Sequence, residues 1–158
     1  MEVVIGLGSN LQQPEQQIEQ ALDALQALAE GEVSASSLYR TPPMGPQDQP
    51  DYINAVASFE STLAPLELLD QLQQIEQAQG RVRKRHWGER TLDLDLLLYG
   101  DQQLDHPKLQ VPHPGIATRA FVLVPLLELM GAAHLVVGLG SVGALVEQCG
   151  DKEIERIG

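Results

Sequence analysis

Residues 92–99 read Leu92-Asp93-Leu94-Asp95-Leu96-Leu97-Leu98-Tyr99. On a β-strand successive side chains point to opposite faces. Leu92, Leu94 and Leu96 therefore share one face and Asp93 and Asp95 the other, the two carboxylates roughly 7 Å apart along the strand. Two carboxylates on one face of a half-buried strand repel each other unless a cation intervenes. Oxygen-only ligation favours Mg²⁺ over zinc or copper. The same alternation also describes a plain solvent-facing strand. The strand alone leaves both readings open.

Its upstream neighbour favours the first. Arg81, Arg83, Lys84, Arg85 and Arg90 supply five of the chain's ten basic residues, with His86 and Trp87 among them, in a chain of net charge −12. Arginine forks and lysine bind phosphate oxygens. Cations for phosphate beside carboxylates for Mg²⁺ is the division of labour of phosphoryl transfer. The alternative is a solvated loop whose charges pair with nearby acids.

Further upstream, Ala64-Pro65 opens a helix with the stripe Leu66, Leu69, Leu72 and Ile75, closed at Gly80. Tyr52 to Ser61 alternates as a strand, and Val33 to Tyr39 reads as another. Between them, Thr41 to Asp51 holds four prolines and a glycine in eleven residues, which excludes helix and inner strand. A restricted loop of this kind inside a compact domain is often functional. Pro14 and Glu15 start an earlier helix along Ile18, Leu22, Leu25 and Leu28. The β-branched run Val3-Val4-Ile5, closed by Gly6 and Gly8, reads as the first strand. The order β-α-β-β-α-β predicts an α+β, ferredoxin-like core, an antiparallel sheet with two helices on one face. A Pro/His loop from Pro107 to Gly115 and a helix around Ala120 to Met130 follow as C-terminal additions.

The chain of 158 residues is expected to form one domain, residues 1–158. Its acidity argues against nucleic-acid or anionic-membrane partners. The single Cys149 forms no internal disulfide and fits a reducing compartment. Phe121 to Met130, the most apolar stretch, is too short to span a bilayer, and the N-terminus lacks the pattern of a signal peptide; a cytoplasmic location is expected. No G-x-x-x-x-G-K-[ST] is present. Gly138-Leu139-Gly140-Ser141-Val142-Gly143 matches G-x-G-x-x-G, but no βαβ unit is available there, so these glycines read as turns. Tyr52 and Asn54 share a strand face, an aromatic ring beside an amide, which suits a flat nitrogen-rich heterocycle.

Gly8-Ser9-Asn10, Tyr39-Arg40-Thr41-Pro42-Pro43, Gln47-Asp48-Gln49-Pro50-Asp51-Tyr52, Gly80-Arg81-Val82-Arg83, Trp87-Gly88, Arg90-Thr91-Leu92-Asp93-Leu94-Asp95, Val111-Pro112-His113-Pro114 and Arg119-Ala120-Phe121 together resemble the 6-hydroxymethyl-7,8-dihydropterin pyrophosphokinases of folate biosynthesis. The resemblance implies the ferredoxin-like fold and transfer of the β,γ-diphosphate of ATP to the pterin hydroxymethyl oxygen, with release of AMP. It implies that Asp93 and Asp95 hold two Mg²⁺ ions. Thr41, Pro42, Met44, Tyr52, Asn54 and Phe121 are then the pterin contacts. Gln73, Glu76, Arg83, Lys84, Trp87, Leu96, Lys108, Gln110, His113 and Arg119 are the ATP contacts, and Arg81 and Arg90 the catalytic arginines. Glu89 and Gly115 stand where many members carry proline and a basic residue. The chain is expected to act as a monomer. Two readings compete. A non-catalytic ferredoxin-like module that binds a nucleotide or pterin is disfavoured, because ligand binding alone does not require both paired carboxylates and a cationic loop. A phosphate-releasing hydrolase using the same metal pair would be revealed by AMP plus diphosphate formed without a pterin acceptor.

Overall fold

The computed structural model describes residues 1–10, 13–42, 51–80, 92–149 and 154–157. At its centre β1 (Glu2–Ser9) runs antiparallel to β4 (Tyr52–Glu60) on one side and to β5 (Leu92–Tyr99) on the other. Strands β2 (Glu30–Ala35) and β3 (Tyr39–Thr41) both pair with β4, and β10 (Glu155–Arg156) extends the sheet beyond β3. The order β10-β3-β4-β1-β5 leaves β5 at an edge. With α1 (Pro14–Leu28) and α2 (Pro65–Gly80) as the connecting helices, this is the expected ferredoxin-like core.

Alternation along the strands makes two cores. Val3, Ile5, Leu7, Leu92, Leu94 and Leu96 face α1 and α2, where Ile18, Ala21, Leu25, Leu68 and Leu72 are buried against them. Val4, Val56, Leu97 and Leu98 face the other way, under α3 (Ala120–Met130) and α4 (Val142–Cys149). Leu97 and Leu98 are adjacent yet share a face because the β1–β5 register shifts there: Ile5 opposes Leu96, Val4 opposes Leu98, and Leu97 is the extra residue.

Four expectations need correction. Gly6 and Gly8 do not close β1, which continues to Ser9; a central strand paired on both sides holds its glycines extended through ladder hydrogen bonds. The strand expected over Val33 to Tyr39 is broken. Ser36 sits between β2 and β3, donating its N–H to the Val56 carbonyl at 2.8 Å while its hydroxyl accepts the Val56 N–H at 3.0 Å. In α2 the buried stripe begins at Leu68, with Leu69 and Ile75 partly buried, and Leu66, next to the helix start, is exposed. Of the G-x-G-x-x-G glycines, Gly138 and Gly140 make the turn between β8 (Leu135–Val136) and β9 (Gly140–Ser141) with φ 77° and 116°. Gly143 lies inside α4, where a Cβ would sit 3.0 Å from the Ala132 side chain.

The expected helix over Ala120 to Met130 is present with those limits. Between β5 and α3, β6 (Leu104–His106) and β7 (Leu109–Val111) form a small antiparallel hairpin. Among the described residues no helix is long and apolar enough to cross a membrane.

Candidate active site

Helices α3 and α4 cover only part of their side of the sheet, and the uncovered part is where β5 turns from leucine to aspartate. Asp93 opposes Gly8 and Asp95 opposes Gly6 across β1, so each carboxylate stands beside a residue with no side chain. The same glycines face Asn54 and Val56 of β4. The result is a cavity of about 220 Å³ with a floor of bare backbone, lined by Gly6, Leu7, Gly8, Ala55, Thr41, Pro42, Tyr52, Asp93, Asp95, Arg119, Phe121 and Val122.

A second, more open cavity of about 500 Å³ lies between the edge of the sheet and the β6–β7 hairpin. Leu96, Asp105, His106, Lys108, Gln110 and His113 line it, with Asp105 beside Gln110 on the hairpin, and Asp95 belongs to both cavities. The two openings thus meet at one half-buried carboxylate.

Local hydrogen bonds fix most of these groups. Asn54 is buried and donates from Nδ2 to Thr41 Oγ1 at 2.9 Å; a Cβ on Gly8 would stand 2.9 Å from its Oδ1. His113 Nδ1 accepts the Gly115 N–H at 3.0 Å, and the His113 N–H donates to the Leu97 carbonyl at 3.0 Å. The Arg119 guanidinium lies 5.6 Å from the centre of the Phe121 ring, a cation–π distance. It also lies across Gly115, where a Cβ would come within 2.6 Å of its Nε. A side chain at position 115 would have to displace it.

The electrostatics follow from burial and from the aspartates. Glu76, on α2, accepts the Leu94 N–H at 2.7 Å and so satisfies a donor on the exposed edge of β5. Burial pushes its carboxyl up, the Leu94 bond pulls it down, and the charges of Asp93 and Asp95 push it up again, leaving it raised. Burial lowers His113 below the ordinary histidine value; Asp95 opposes that and Arg119 adds to it.

Among the described residues no three His, Cys, Asp or Glu side chains cluster as a metal site. A pair of carboxylates fits magnesium, which keeps several waters and takes its remaining oxygens from substrate phosphates. It would not fit a closed structural zinc site.

The expected pterin contacts Thr41, Pro42, Tyr52 and Phe121 come together in the first cavity, with Asn54 tied to Thr41. Of the expected ATP contacts, Leu96, Lys108, Gln110 and His113 share the second cavity, whereas Arg119 lines the first. Glu76 reaches the β5 backbone, and Gln73 is exposed on α2 and lines neither cavity. Met44, Arg81, Arg83, Lys84, Trp87 and Arg90 lie outside the described residues. Sequence reading missed Gly6 and Gly8 as the floor and Asp105 and His106 as a wall. The glycine spacing of two, matching that of the aspartates, was the available signal for the floor.

Known proteins resemble this chain in sequence and in fold. The model of the 7,8-dihydro-6-hydroxymethylpterin-pyrophosphokinase (HPPK) family matches residues 4–131. The chain is 49% identical over 155 residues to the 2-amino-4-hydroxy-6-hydroxymethyldihydropteridine pyrophosphokinase of Haemophilus influenzae, covering 97% of this chain and 96% of that one. It is 50% identical over 156 residues to the enzyme of the same name from Pseudomonas aeruginosa, covering 98% and 96%. Among solved structures, wild-type Plasmodium falciparum HPPK-DHPS with STZ-DHP superposes with a TM-score of 0.71 at 13% identity, covering 99% of this chain and 46% of that one. The same protein with pteroate gives 0.68 at 14% identity, covering 93% and 42%. This chain therefore spans less than half the length of those structures, and at that identity the likeness concerns the fold.

Proposed function

The chain belongs to the 7,8-dihydro-6-hydroxymethylpterin-pyrophosphokinase family and is a pyrophosphokinase of folate biosynthesis, a transferase; from that premise we propose how its two cavities divide the work. The cavity with the glycine floor takes 6-hydroxymethyl-7,8-dihydropterin, and the cavity at the β6–β7 hairpin takes ATP. The observation that carries this is Asp95, which lines both cavities at their junction. That junction is where an acceptor hydroxyl and a β-phosphate have to meet.

The flat floor and the Tyr52 and Phe121 rings offer stacking surfaces for a planar heterocycle. Asn54, held by Thr41, offers an amide that can both donate and accept. On the other side Lys108 and Gln110 of the hairpin, with His113, face the nucleotide. Arg119 lies at the pterin end of the junction, where its charge favours the diphosphate once it has been transferred.

Asp93 and Asp95 would hold two Mg²⁺ ions that accompany ATP, and those ions, when bound, neutralise phosphate charge and orient its oxygens. In-line displacement at Pβ then needs positioning and charge neutralisation more than a protein base. His113 fits that account. Its Nδ1 is engaged by Gly115 and burial favours its neutral form, so it serves as a hydrogen-bonding wall and not as a proton acceptor. The basic residues Arg81, Arg83, Lys84 and Arg90 would supply positive charge for the polyphosphate.

The test is AMP formation from ATP and Mg²⁺ with and without the pterin. AMP that appears only with the pterin, in step with pterin diphosphate, supports the reading. AMP with free diphosphate and no need for the pterin would identify a hydrolase instead.

A further inference from the structure

The walls of the first cavity come from segments far apart in the chain. Thr41 ends β3 and Pro42 follows it, whereas Arg119, Phe121 and Val122 lie at the start of α3. One side chain that lines neither cavity joins them. Glu128, two turns along α3, accepts the Ser37 backbone N–H at 3.0 Å on each oxygen, the Ser37 hydroxyl at 2.9 Å on Oε2 and the Tyr39 hydroxyl at 2.6 Å on Oε1. Tyr39 opens β3 and pairs with Asn54, the residue bonded to Thr41. Arg156 of β10 adds an ion pair to Glu128 at 3.9 Å, and the neighbouring Ile157 N–H donates to the Leu38 carbonyl at 2.9 Å. Residues 37–39, 128 and 156–157 thus form one hydrogen-bonded clasp behind the cavity.

A carboxylate that accepts four hydrogen-bond contacts holds its two elements at a fixed separation more tightly than apolar packing, which tolerates sliding. Here the elements are ones whose residues line the same slot, Thr41 and Pro42 from β3 and its end and Phe121 and Val122 from α3. We propose that Glu128 is a positioning residue for the pterin: by clasping β3 to α3 it sets the gap between Thr41 and Pro42 on one side and Phe121 on the other. This rests on the assignment of that cavity to the pterin. The nucleotide cavity is lined by Leu69 of α2, by β5, by the β6–β7 hairpin and by His113 and Pro114, with no member in the clasp, so the larger effect falls on the pterin.

The experiment measures pterin and ATP KM values, by pterin-dependent AMP formation, for wild type, Glu128→Ala, Glu128→Gln and Tyr39→Phe. Ile18→Val, a core substitution on the opposite face, serves as a control for general destabilisation. Glu128→Ala is expected to raise the pterin KM about tenfold and leave the ATP KM within about twofold. Glu128→Gln keeps one acceptor oxygen and is expected to restore most of the loss. Tyr39→Phe removes one of the bonds and is expected to cost about threefold. If Glu128→Ala does not fold, Tyr39→Phe carries the same contrast. A folded Glu128→Ala or Tyr39→Phe whose pterin KM equals that of Ile18→Val, or whose two KM values rise together, would overturn the proposal. Wild type is measured first; if it forms no AMP, the assignment of the cavity falls and this inference with it, an outcome distinct from failure in the variants alone.

Discussion

The two faces of the sheet are made by the same strands and do different work. Toward α1 and α2 the inward positions of β1 and β5 are apolar apart from the buried Ser9 at the end of β1, and they pack against both helices. Toward α3 and α4 the coverage stops partway. Beyond Leu97 and Leu98 the strand offers Asp95 and Asp93, and β1 offers Gly6 and Gly8 in place of Val4. The β-bulge at Leu97 lies at this boundary. One face buries surface and supplies stability; the other withholds side chains and concentrates charge. A cavity and a close-packed core cannot share the same positions, so the uncovered half is the one open to a ligand.

Separation of the two roles predicts that substitutions on opposite faces of the sheet fail in different ways. The largest effect is expected for Asp95→Ala, with about 10³-fold loss of pterin-dependent AMP formation and a thermal midpoint equal to or above that of wild type, since a repulsive carboxylate is removed. A large fall in midpoint accompanying the loss would break the comparison.

Leu72→Ala, buried on the opposite face, should do the reverse. It is expected to cost about 2–5 kcal/mol in urea unfolding while kcat/KM, assayed well below the transition, stays within about twofold of wild type.

Gly8→Ala sharpens the boundary itself, because its Cβ would stand 2.9 Å from Asn54 Oδ1 on the cavity floor. An increase of about tenfold in pterin KM with little change in ATP KM is expected, and equal changes in both would contradict the assignment of the floor.

The smallest effect concerns pH. Burial pushes the Glu128 carboxyl up, but bonds from Tyr39 and Ser37 and the Arg156 charge outweigh it and leave it below its ordinary 4.5. A lowered folded value contributes stability above 4.5 that is lost as pH falls through the lowered one. Tyr39, raised by burial and by its bond to Glu128 to about 12, contributes stability below its ordinary value of 10, lost as pH rises toward 12. The midpoint difference between wild type and Glu128→Gln is therefore expected to be about 2 °C at pH 7 and to shrink below pH 4.5 and above pH 10. A difference independent of pH would show that the clasp contributes no charged hydrogen bonds.

What the sequence discloses follows from periodicity. The alternation in residues 92–96 places the aspartates and leucines on the faces they occupy, and the stripe of α1 is buried largely where its spacing puts it. Glycine obscured the rest. In Gly6 and Gly8 the chain looks terminated, yet pairing on both sides keeps them in β1, where their lack of side chains is the feature that makes the floor. Ser36 breaks the strand expected over Val33 to Tyr39 through a hydroxyl that replaces a ladder bond, a choice no local pattern records. Leu68 and Leu66 lie two positions apart on α2, and only the docking of the helix decides which is buried. The Glu128 clasp was not legible at all, since Ser37, Tyr39 and Glu128 are about ninety residues apart and meet only in the folded chain.

The most direct test of the carboxylate face is a Mn²⁺ titration, read by electron paramagnetic resonance, with a non-hydrolysable ATP analogue and the pterin present. Wild type should hold two Mn²⁺ in the ternary complex, and the Asp93→Ala/Asp95→Ala variant, still folded, should hold no more than the analogue binds by itself. An unchanged count and affinity in that variant would contradict the account.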